Sequence, residues 1–488
     1  MRFDCLDDWL HWQESLNPAE IDLGLERVSS VLKQAGLSTS FNCPLITVAG
    51  TNGKGSVVAM LEAIAIAAGM KVCSYTSPHI FQYNERIKIN GLAIDDNSLC
   101  EAFERIDQAR ADSALTYFEF GTLAAIDIFF MAEPDLVILE VGLGGRLDAV
   151  NIMDSDISVL TSVAIDHIDW LGDDRESIGY EKAGIFRAEK PVICNEREVP
   201  DSVLRHADEL HCVFILAGRD YDVVNDDLNF AGHGLDHGGR WTLKSSYGEF
   251  SNLPRPSLVG EFQKSNAATA IMALLTLQAK GLLFPASERQ INNPLIQALP
   301  AALTNIRLPG RFQLVHSKPE VYVDVAHNMQ AAQALATQIK LIQFTNQSNS
   351  KSKTWAIVAM LSDKDIKGVL TSISAEIDFW CFAGLEKITR GASLQYMLKN
   401  IPASILPPGK SIMNTATADE MQGESLLNQC TILSDTVLLA KTITDACRLV
   451  LSKADENDRI IIFGSFYTVA EAMHYFTGLS DDAVELIN

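Results

Sequence analysis

The sequence predicts an α/β protein of two domains, a larger first one built on a mostly parallel sheet with a small antiparallel excursion and a smaller second one. Three observations carry this. Short apolar runs alternate with helical patterns along the chain, the signature of parallel strands joined by crossover helices. The first clear run, Leu45 to Ala49, ends in a glycine-rich turn that opens a helix. And 488 residues are too many for one core, so two or three domains are expected.

The turn reads Gly50-Thr51-Asn52-Gly53-Lys54-Gly55-Ser56. Gly50 and Gly53 permit a tight backbone reversal, and Val57 to Ala68 continue as a helix stopped by Gly69. Free amides at a helix start with a lysine ammonium beside them make a cradle for phosphate. The usual phosphate loop has four residues between its first glycine and its Gly-Lys pair. Here only Thr51 and Asn52 intervene, and Gly55 separates Lys54 from Ser56, so this is a variant loop. The alternative, an ordinary turn with a solvated lysine, explains less of the pattern.

Further strands are expected at Lys71 to Tyr75, Leu136 to Val141, Ile157 to Ile165 and Pro191 to Cys194, with a helix at Phe120 to Ala132. Residues 213–256 carry Asp-Asp, Gly-His-Gly and His-Gly-Gly turns and read as an antiparallel hairpin excursion. Asn266 to Lys280 reads as a helix. Prolines and polar residues at 300–310 mark the junction, which divides the chain into 1–302 and 303–488. Beyond it, strands are expected at Val321 to Val325, Trp355 to Met360, Asp378 to Ala383 and Ile460 to Phe463. Thr345 to Lys353 is a polar loop and 403–435 a poorly periodic excursion.

A formal charge of −23 argues against a nucleic-acid or anionic-membrane partner. No run of eighteen residues is strongly apolar and free of charge, so no membrane span is expected. The start, MRFDCLDDWLHW, lacks a cationic region ahead of an apolar one, and the nine cysteines form no C-x-x-C pair. Both point to a reduced, cytoplasmic protein.

Candidate chemical groups lie downstream of the loop. DLVILEVGLGGR is a buried strand ending in Glu140, where a nucleotide-bound Mg²⁺ finds its ligand beside a phosphate-loop strand. A capping or salt-bridged glutamate is the plainer alternative. Asp166 and His167 end another apolar strand; imidazole is an unusual partner for Mg²⁺, so a hydrogen-bonded structural histidine is the simpler reading from one residue. Lys182 beside Glu181 reads as a surface ion pair. Ser77, in Thr76-Ser77-Pro78-His79, could reach a metal through its hydroxyl. Arg311, Asp324 and His327 could bind across a cleft or merely fix the linker, and His233 and His237 around Asp236 read as a solvated turn rather than a metal site.

AGTNGKGS, YTSPH, NERI at 84–87, LEVGLGGRLDAVN, SVAIDHIDWLG, EKAGIFR, LPGRFQ, DVAHN, LSDKD at 361–365 and FGSFYTVAEA stand in one order. Together they resemble the folylpolyglutamate synthases of the Mur-ligase superfamily, ATP-dependent amide-forming ligases, from about residue 20 to residue 475. LGLERV at 23–28 and LTYFEFGTLAA at 115–125 are similar to the bifunctional bacterial members that also act as dihydrofolate synthases. The resemblance implies a P-loop ATPase-like N-terminal domain and a Rossmann-like C-terminal one. It implies ATP contacts from Thr51, Asn52, Gly53, Lys54, Gly55, Ser56, Asn266, Arg311 and Asp324. It implies two Mg²⁺ ions held by Ser77, Glu140, His167 and Lys182, the lysine as a carbamate. A pterin site would take Leu23, Gly24, Leu25, Glu26, Thr116, Tyr117, Phe118, Glu119, Leu147, Asp148 and Ala149, and His327 and Ser465 would meet the incoming glutamate. Members of the family often carry a proline after DVAHN, where this chain has Met329.

The activity so implied joins L-glutamate to dihydropteroate and to reduced folates in a chain that acts as a monomer on small molecules. A carboxylate is a poor electrophile, and transfer of the ATP γ-phosphoryl to it creates a good leaving group. That step needs position and charge neutralisation. Carbamylation of Lys182 needs the neutral amine, which an unperturbed lysine offers in only about one molecule in two or three thousand at pH 7. Rival readings are a monofunctional folylpolyglutamate synthase or another Mur-type amide ligase, a P-loop kinase or NTPase, and a non-catalytic nucleotide- or folate-binding protein.

Overall fold

The computed structural model describes residues 1–17, 21–225, 239–284, 293–345, 352–405 and 431–478. His233, Asp236 and His237, most of the polar loop before Lys353 and most of the 403–435 excursion lie outside those residues. The described residues fall into two compact units, the first running from Met1 to Arg307 except Leu258–Gly260, the second made of those three residues and Leu308 onward.

The first unit holds an eight-stranded sheet. Its strands are β1 (Leu45–Ala49), β2 (Val72–Tyr75), β3 (Ile87–Ile89), β4 (Leu92–Ala93), β5 (Leu136–Glu140), β6 (Ile157–Leu160), β7 (Pro191–Cys194) and β8 (Val213–Leu216). The order is β4-β3-β2-β5-β1-β6-β7-β8. All pairings are parallel except β2 with β3 and β3 with β4. LITVA and LVILE are buried at every position, as central parallel strands covered on both faces require. In register, Val48 faces Glu140 on one side and Val159 on the other.

Three expectations change here. Val213–Leu216 is not part of the antiparallel excursion; it pairs with β7 as a parallel edge strand, because VFIL continues the crossover begun by the helix Asp201–Glu209. The excursion proper is a three-stranded sheet of β9 (Tyr221–Asn225), β10 (Arg240–Ser245) and β11 (Gly248–Pro254). Second, β6 stops at Leu160, since Thr161, Ser162 and Ala164 spend their polar groups on the glycine turn rather than on a ladder. Third, residues 300–304 belong to the helix Pro294–Thr304, which Pro294 opens at its first position.

The helix Lys54–Ala67 follows the glycine turn and packs against Phe262–Ala279 and Pro294–Thr304. On the opposite flank, Trp9, Phe103 and Phe120 meet in one aromatic cluster beneath β2 and β5. No helix among the described residues is long and apolar enough to cross a membrane.

The second unit has a seven-stranded sheet of β12 (Gln313–Ser317), β13 (Glu320–Asp324), β14 (Thr354–Val358), β15 (Phe379–Ala383), β16 (Thr431–Ser434), β17 (Val437–Ala440) and β18 (Arg459–Phe463). The order is β12-β13-β18-β14-β15-β17-β16, with antiparallel strands only at the two edges. Met329 begins the helix Met329–Thr345, and the Asn328 side chain accepts from the Ala331 amide one turn in. The position after DVAHN is thus a first helical residue, which a proline would suit and methionine also fills.

One close approach fixes the geometry of the first unit's sheet end. A Cβ at Gly145 would lie 2.8 Å from the Glu181 carbonyl oxygen and 2.9 Å from that of Lys182. Gly145→Ala is therefore expected to push the helix Arg175–Ala183 off the turn that follows β5 and cost about 1–3 kcal/mol. A urea midpoint unchanged from the parent would show that the approach is slack.

Candidate active site

The glycine turn is held by the chain that follows β6. Thr51 donates its amide to the Ser162 carbonyl (2.8 Å), its hydroxyl donates to the Ala164 carbonyl (3.1 Å), and the Ala164 amide returns a bond to that hydroxyl (3.0 Å). The Asn52 amide donates to Ser162 Oγ (3.0 Å), while Thr161 and Ser162 hydroxyls donate to the Asn52 carbonyl (2.7 and 3.1 Å). Each bond contributes about 1 kcal/mol, and the set fixes the loop before any ligand arrives. Gly53, at φ 90°, caps the helix start and leaves room for Asn266 Oδ1, which a Cβ there would meet at 3.0 Å. Asn266 accepts from Asn195 and donates to Gln263, and Gln263 in turn donates to the buried Ser56 hydroxyl (3.4 Å). Gly55 lies in the first turn of that helix.

Two lysines converge on one oxygen. Lys54 Nζ donates to the Gly50 carbonyl (3.1 Å) and to that of Thr51 (3.4 Å). Lys182 Nζ, from the last turn of Arg175–Ala183, also donates to the Gly50 carbonyl at 3.1 Å and is only 4% exposed. The surface ion pair expected of this segment belongs to Glu181, which binds Arg146 at 2.8 Å; Lys182 points inward instead. Glu140, 4% exposed at the carboxyl end of β5, accepts from the Ser77 amide at 3.3 Å. His167 takes the left-handed conformation (φ 52°) at the start of the short helix Ile168–Leu171.

Among the described residues no three His, Cys, Asp or Glu side chains gather as a metal cage. The donors present nevertheless fit a hard divalent ion. Mg²⁺ keeps several waters and takes phosphate oxygens, so it needs only one or two protein carboxylates. Glu140 supplies one next to the strand of the phosphate loop, and Ser77, whose amide it accepts, carries a hydroxyl on the same residue.

The three segments expected from the resemblance to take a pterin all lie in the first unit. The Thr116 side chain accepts from Glu119 N, and Glu119 returns a bond to Thr116 N (2.8 Å), a capping box that starts the helix Tyr117–Ala132. Arg27 bridges this box to the Leu23–Glu26 segment: its guanidinium donates to both Glu119 carboxylate oxygens and to Asp22. Phe118 lies on Gly142, where a Cβ would meet its ring at 2.8 Å, and so brings Leu147, Asp148 and Ala149 near. Asp148 accepts from the amides of Leu143 (2.8 Å) and Val150 (3.1 Å). Arg27, in LGLERV, was legible only as part of that segment; its role appears once Glu119 is placed.

In the second unit, the Asp324 carboxylate at the end of β13 accepts from the amides of Phe312 (2.9 Å) and Ala326 (2.8 Å), and burial raises its pKa against the pull of Arg311. Arg311 lies over the Phe466 ring, 5.4 Å from its centroid, and His327 packs on the same ring. Ser465 is buried as the N-cap of Phe466–Thr477, its hydroxyl engaged by the Thr468 amide and hydroxyl.

Burial raises the Asp148 pKa to about 6. An unfolded aspartate titrates near 3.9, so the folded chain binds the extra proton between about pH 4 and pH 6 and loses stability as pH rises through that window. Asp148→Asn removes this term. The stability of the parent relative to that variant is expected to be larger at pH 5 than at pH 7.5; equal differences in urea unfolding at both values would refute the buried, proton-binding carboxyl.

Two family descriptions match the chain: the Mur ligase middle domain over residues 48–274 and the Mur ligase glutamate ligase domain over residues 310–466. The Escherichia coli dihydrofolate synthase/folylpolyglutamate synthase is 39% identical over 471 residues, 96% of this chain and 94% of that one. The Haemophilus influenzae protein of the same name is 35% identical, covering 96% of each chain. The solved structure of E. coli FolC with DHPP and ADP has a TM-score of 0.79 and 37% identity, covering 97% of this chain and 98% of that one. A bifunctional folylpolyglutamate synthase/dihydrofolate synthase with Mn, AMPPNP and L-glutamate bound has a TM-score of 0.77 at 36% identity over the same shares. With identity sustained across nearly its whole length, this chain belongs to the dihydrofolate synthase/folylpolyglutamate synthase family of Mur ligases.

Proposed function

We propose that the chain is an ATP-dependent ligase that adds L-glutamate to dihydropteroate, giving dihydrofolate, and to reduced folates, giving folylpolyglutamates. The observation that carries this reading is the meeting of Lys54 and Lys182 on the Gly50 carbonyl, one strand from Glu140. A fixed phosphate loop, a carboxylate and an inward lysine are what transfer of a phosphoryl group to a carboxylate requires.

The 1–302 part holds ATP and the pterin substrate and the 303–488 part serves glutamate. The loop from Thr51 to Ser56 binds the ATP phosphates, with Asn266, Arg311 and Asp324 as further nucleotide contacts. The acid substrate's carboxylate oxygen bonds to the γ-phosphorus as the bond to the ADP oxygen breaks, giving an acyl phosphate. The glutamate amine then attacks the acyl carbon and loses a proton, and phosphate leaves, so ATP, acid and glutamate become amide, ADP and phosphate. Lys54 leaves its carbonyl partners to neutralise charge on the phosphates. Ser77, Glu140, His167 and Lys182 would hold two magnesium ions, which would neutralise developing phosphate charge. For Lys182 this means a carbamate: the ammonium first gives up one proton, the neutral nitrogen then bonds to the carbon of CO₂ and sheds a second, and one of two crowded ammonium groups becomes a carboxylate. The Leu23–Glu26, Thr116–Glu119 and Leu147–Ala149 segments take the pterin, and His327 and Ser465 serve glutamate. The protein acts as a cytoplasmic monomer, and its charge of −23 leaves nucleic acid and anionic membranes out of its partners.

ADP release with Mg-ATP is expected to require glutamate and to occur with dihydropteroate and with tetrahydrofolate separately. Release with tetrahydrofolate alone reduces the protein to a polyglutamate synthase, and glutamate-independent release returns the NTPase reading. Lys182→Ala is expected to lose activity by at least about a hundredfold and to regain part of it when a short carboxylic acid is added. Near-parental turnover in that variant removes the carbamate.

A further inference from the structure

The NERI segment assigns each of its polar residues a task except one. Asn84 donates to the Ile94 carbonyl and the Asp96 carboxylate, both at 2.8 Å. Glu85 accepts the amides of Ile80, Phe81 and Gln82, each at 2.8 Å, and so folds the loop after Ser77-Pro78. Arg86 remains. Its backbone carbonyl accepts from Thr76 (2.8 Å), which puts it at the carboxyl end of β2, on the side of the sheet where Ser77 meets Glu140.

The Arg86 guanidinium is 8% exposed and makes no ion pair among the described residues. Everything it touches is neutral. Nε donates to His79 Nδ1 at 2.9 Å, which requires that nitrogen to be unprotonated. The carbon of the guanidinium stands 5.0 Å from the Tyr83 ring centroid and 5.6 Å from that of Tyr117, with the Tyr75 hydroxyl beside it. Asp148, the nearby buried acid, is engaged by backbone amides. A buried charge held only by neutral groups is costly, and a guanidinium fork with five N–H donors, bonded here to the His79 ring and the Tyr75 hydroxyl, suits a carboxylate.

We propose that Arg86 forms the carboxylate subsite for the acid substrate, oriented by His79 and the Tyr83 and Tyr117 rings, and that it selects ligands ending in a carboxylate over neutral ones. The subsite rests on the ligase reading given above. Tyr117 belongs to the pterin segment, so a flat ligand on that segment would direct its acidic end toward the β2 terminus. A guanidinium there aligns the reacting oxygen without competing for the phosphoryl group, since it donates hydrogen bonds only.

The test is binding of two probes by calorimetry without ATP: 7,8-dihydropteroate and the analogue with a carboxamide in place of the carboxylate. The parent protein is expected to prefer the carboxylate by about tenfold to a hundredfold. Arg86→Gln is expected to lose that preference, weakening the carboxylate ligand while leaving the carboxamide nearly unchanged. His79→Ala, which keeps the charge but frees its orientation, is expected to lose part of the preference, and serves if Arg86→Gln fails to fold. Equal weakening of both probes in these variants overturns the subsite and makes Arg86 a packing residue. If the parent turns over dihydropteroate yet binds both probes alike, the subsite alone fails; if it neither binds nor turns over dihydropteroate, the acceptor assignment itself is wrong.

Discussion

The constraint on which the first unit depends is the backbone of Gly50. Its φ of 153° and the 1.8 Å that would separate a Cβ from Thr161 Oγ1 leave no residue but glycine at the end of β1. Because β1 lies between β5 and β6, that oxygen sits where three strand ends meet, and of its two ammonium partners one is 4 residues on and the other 132. The loop's shape, the inward turn of Lys182 and the nearness of Glu140 all follow from one carbonyl held at one place.

Buried charge is distributed by the same logic throughout the unit. Glu119 is neutralised by Arg27 and completes a cap; Asp148 rests on two amides and keeps its proton to about pH 6; Asp127 is bound by Arg105. Arg27 and Arg105 offset the cost of burying the first and last of these, whereas at Asp148 burial outweighs the amide bonds. Glu140 ends β5, Arg86 is tied through its carbonyl to Thr76 just past β2, and the Lys182 ammonium reaches the Gly50 carbonyl just past β1, so these three gather at the carboxyl edge of the sheet. In open parallel sheets that edge is where ligands bind.

Much of this was legible in the sequence because glycines and apolar runs report local geometry. LITVA and LVILE could be read as buried parallel strands, and the turn between Gly50 and Ser56 as a phosphate cradle. What stayed hidden depends on contacts distant in sequence. VFIL at 213–216 looks like a hairpin strand until the edge of β7 is known to be open to it. Ile157 to Ile165 reads as one strand, yet its second half serves the glycine turn across 110 residues of chain, as the Asn52–Ser162 bond shows. Lys182 beside Glu181 looks like an ordinary surface pair, but the Gly50 carbonyl that its ammonium meets lies 132 residues back in the chain, and Glu181 takes Arg146 instead. For His167 the fold supplies an unusual backbone conformation that no single-residue argument could give.

The short helix after His167 has an optical consequence. Of the six tryptophans, Trp9, Trp241, Trp355 and Trp380 are buried and Trp12 is partly covered, whereas Trp170 is 45% exposed. Its fluorescence therefore emits from a wet environment, red-shifted from that of its buried counterparts and open to collisional quenchers. Three residues from His167, it gives the protein a built-in dye on the turn that follows β6, with no label attached.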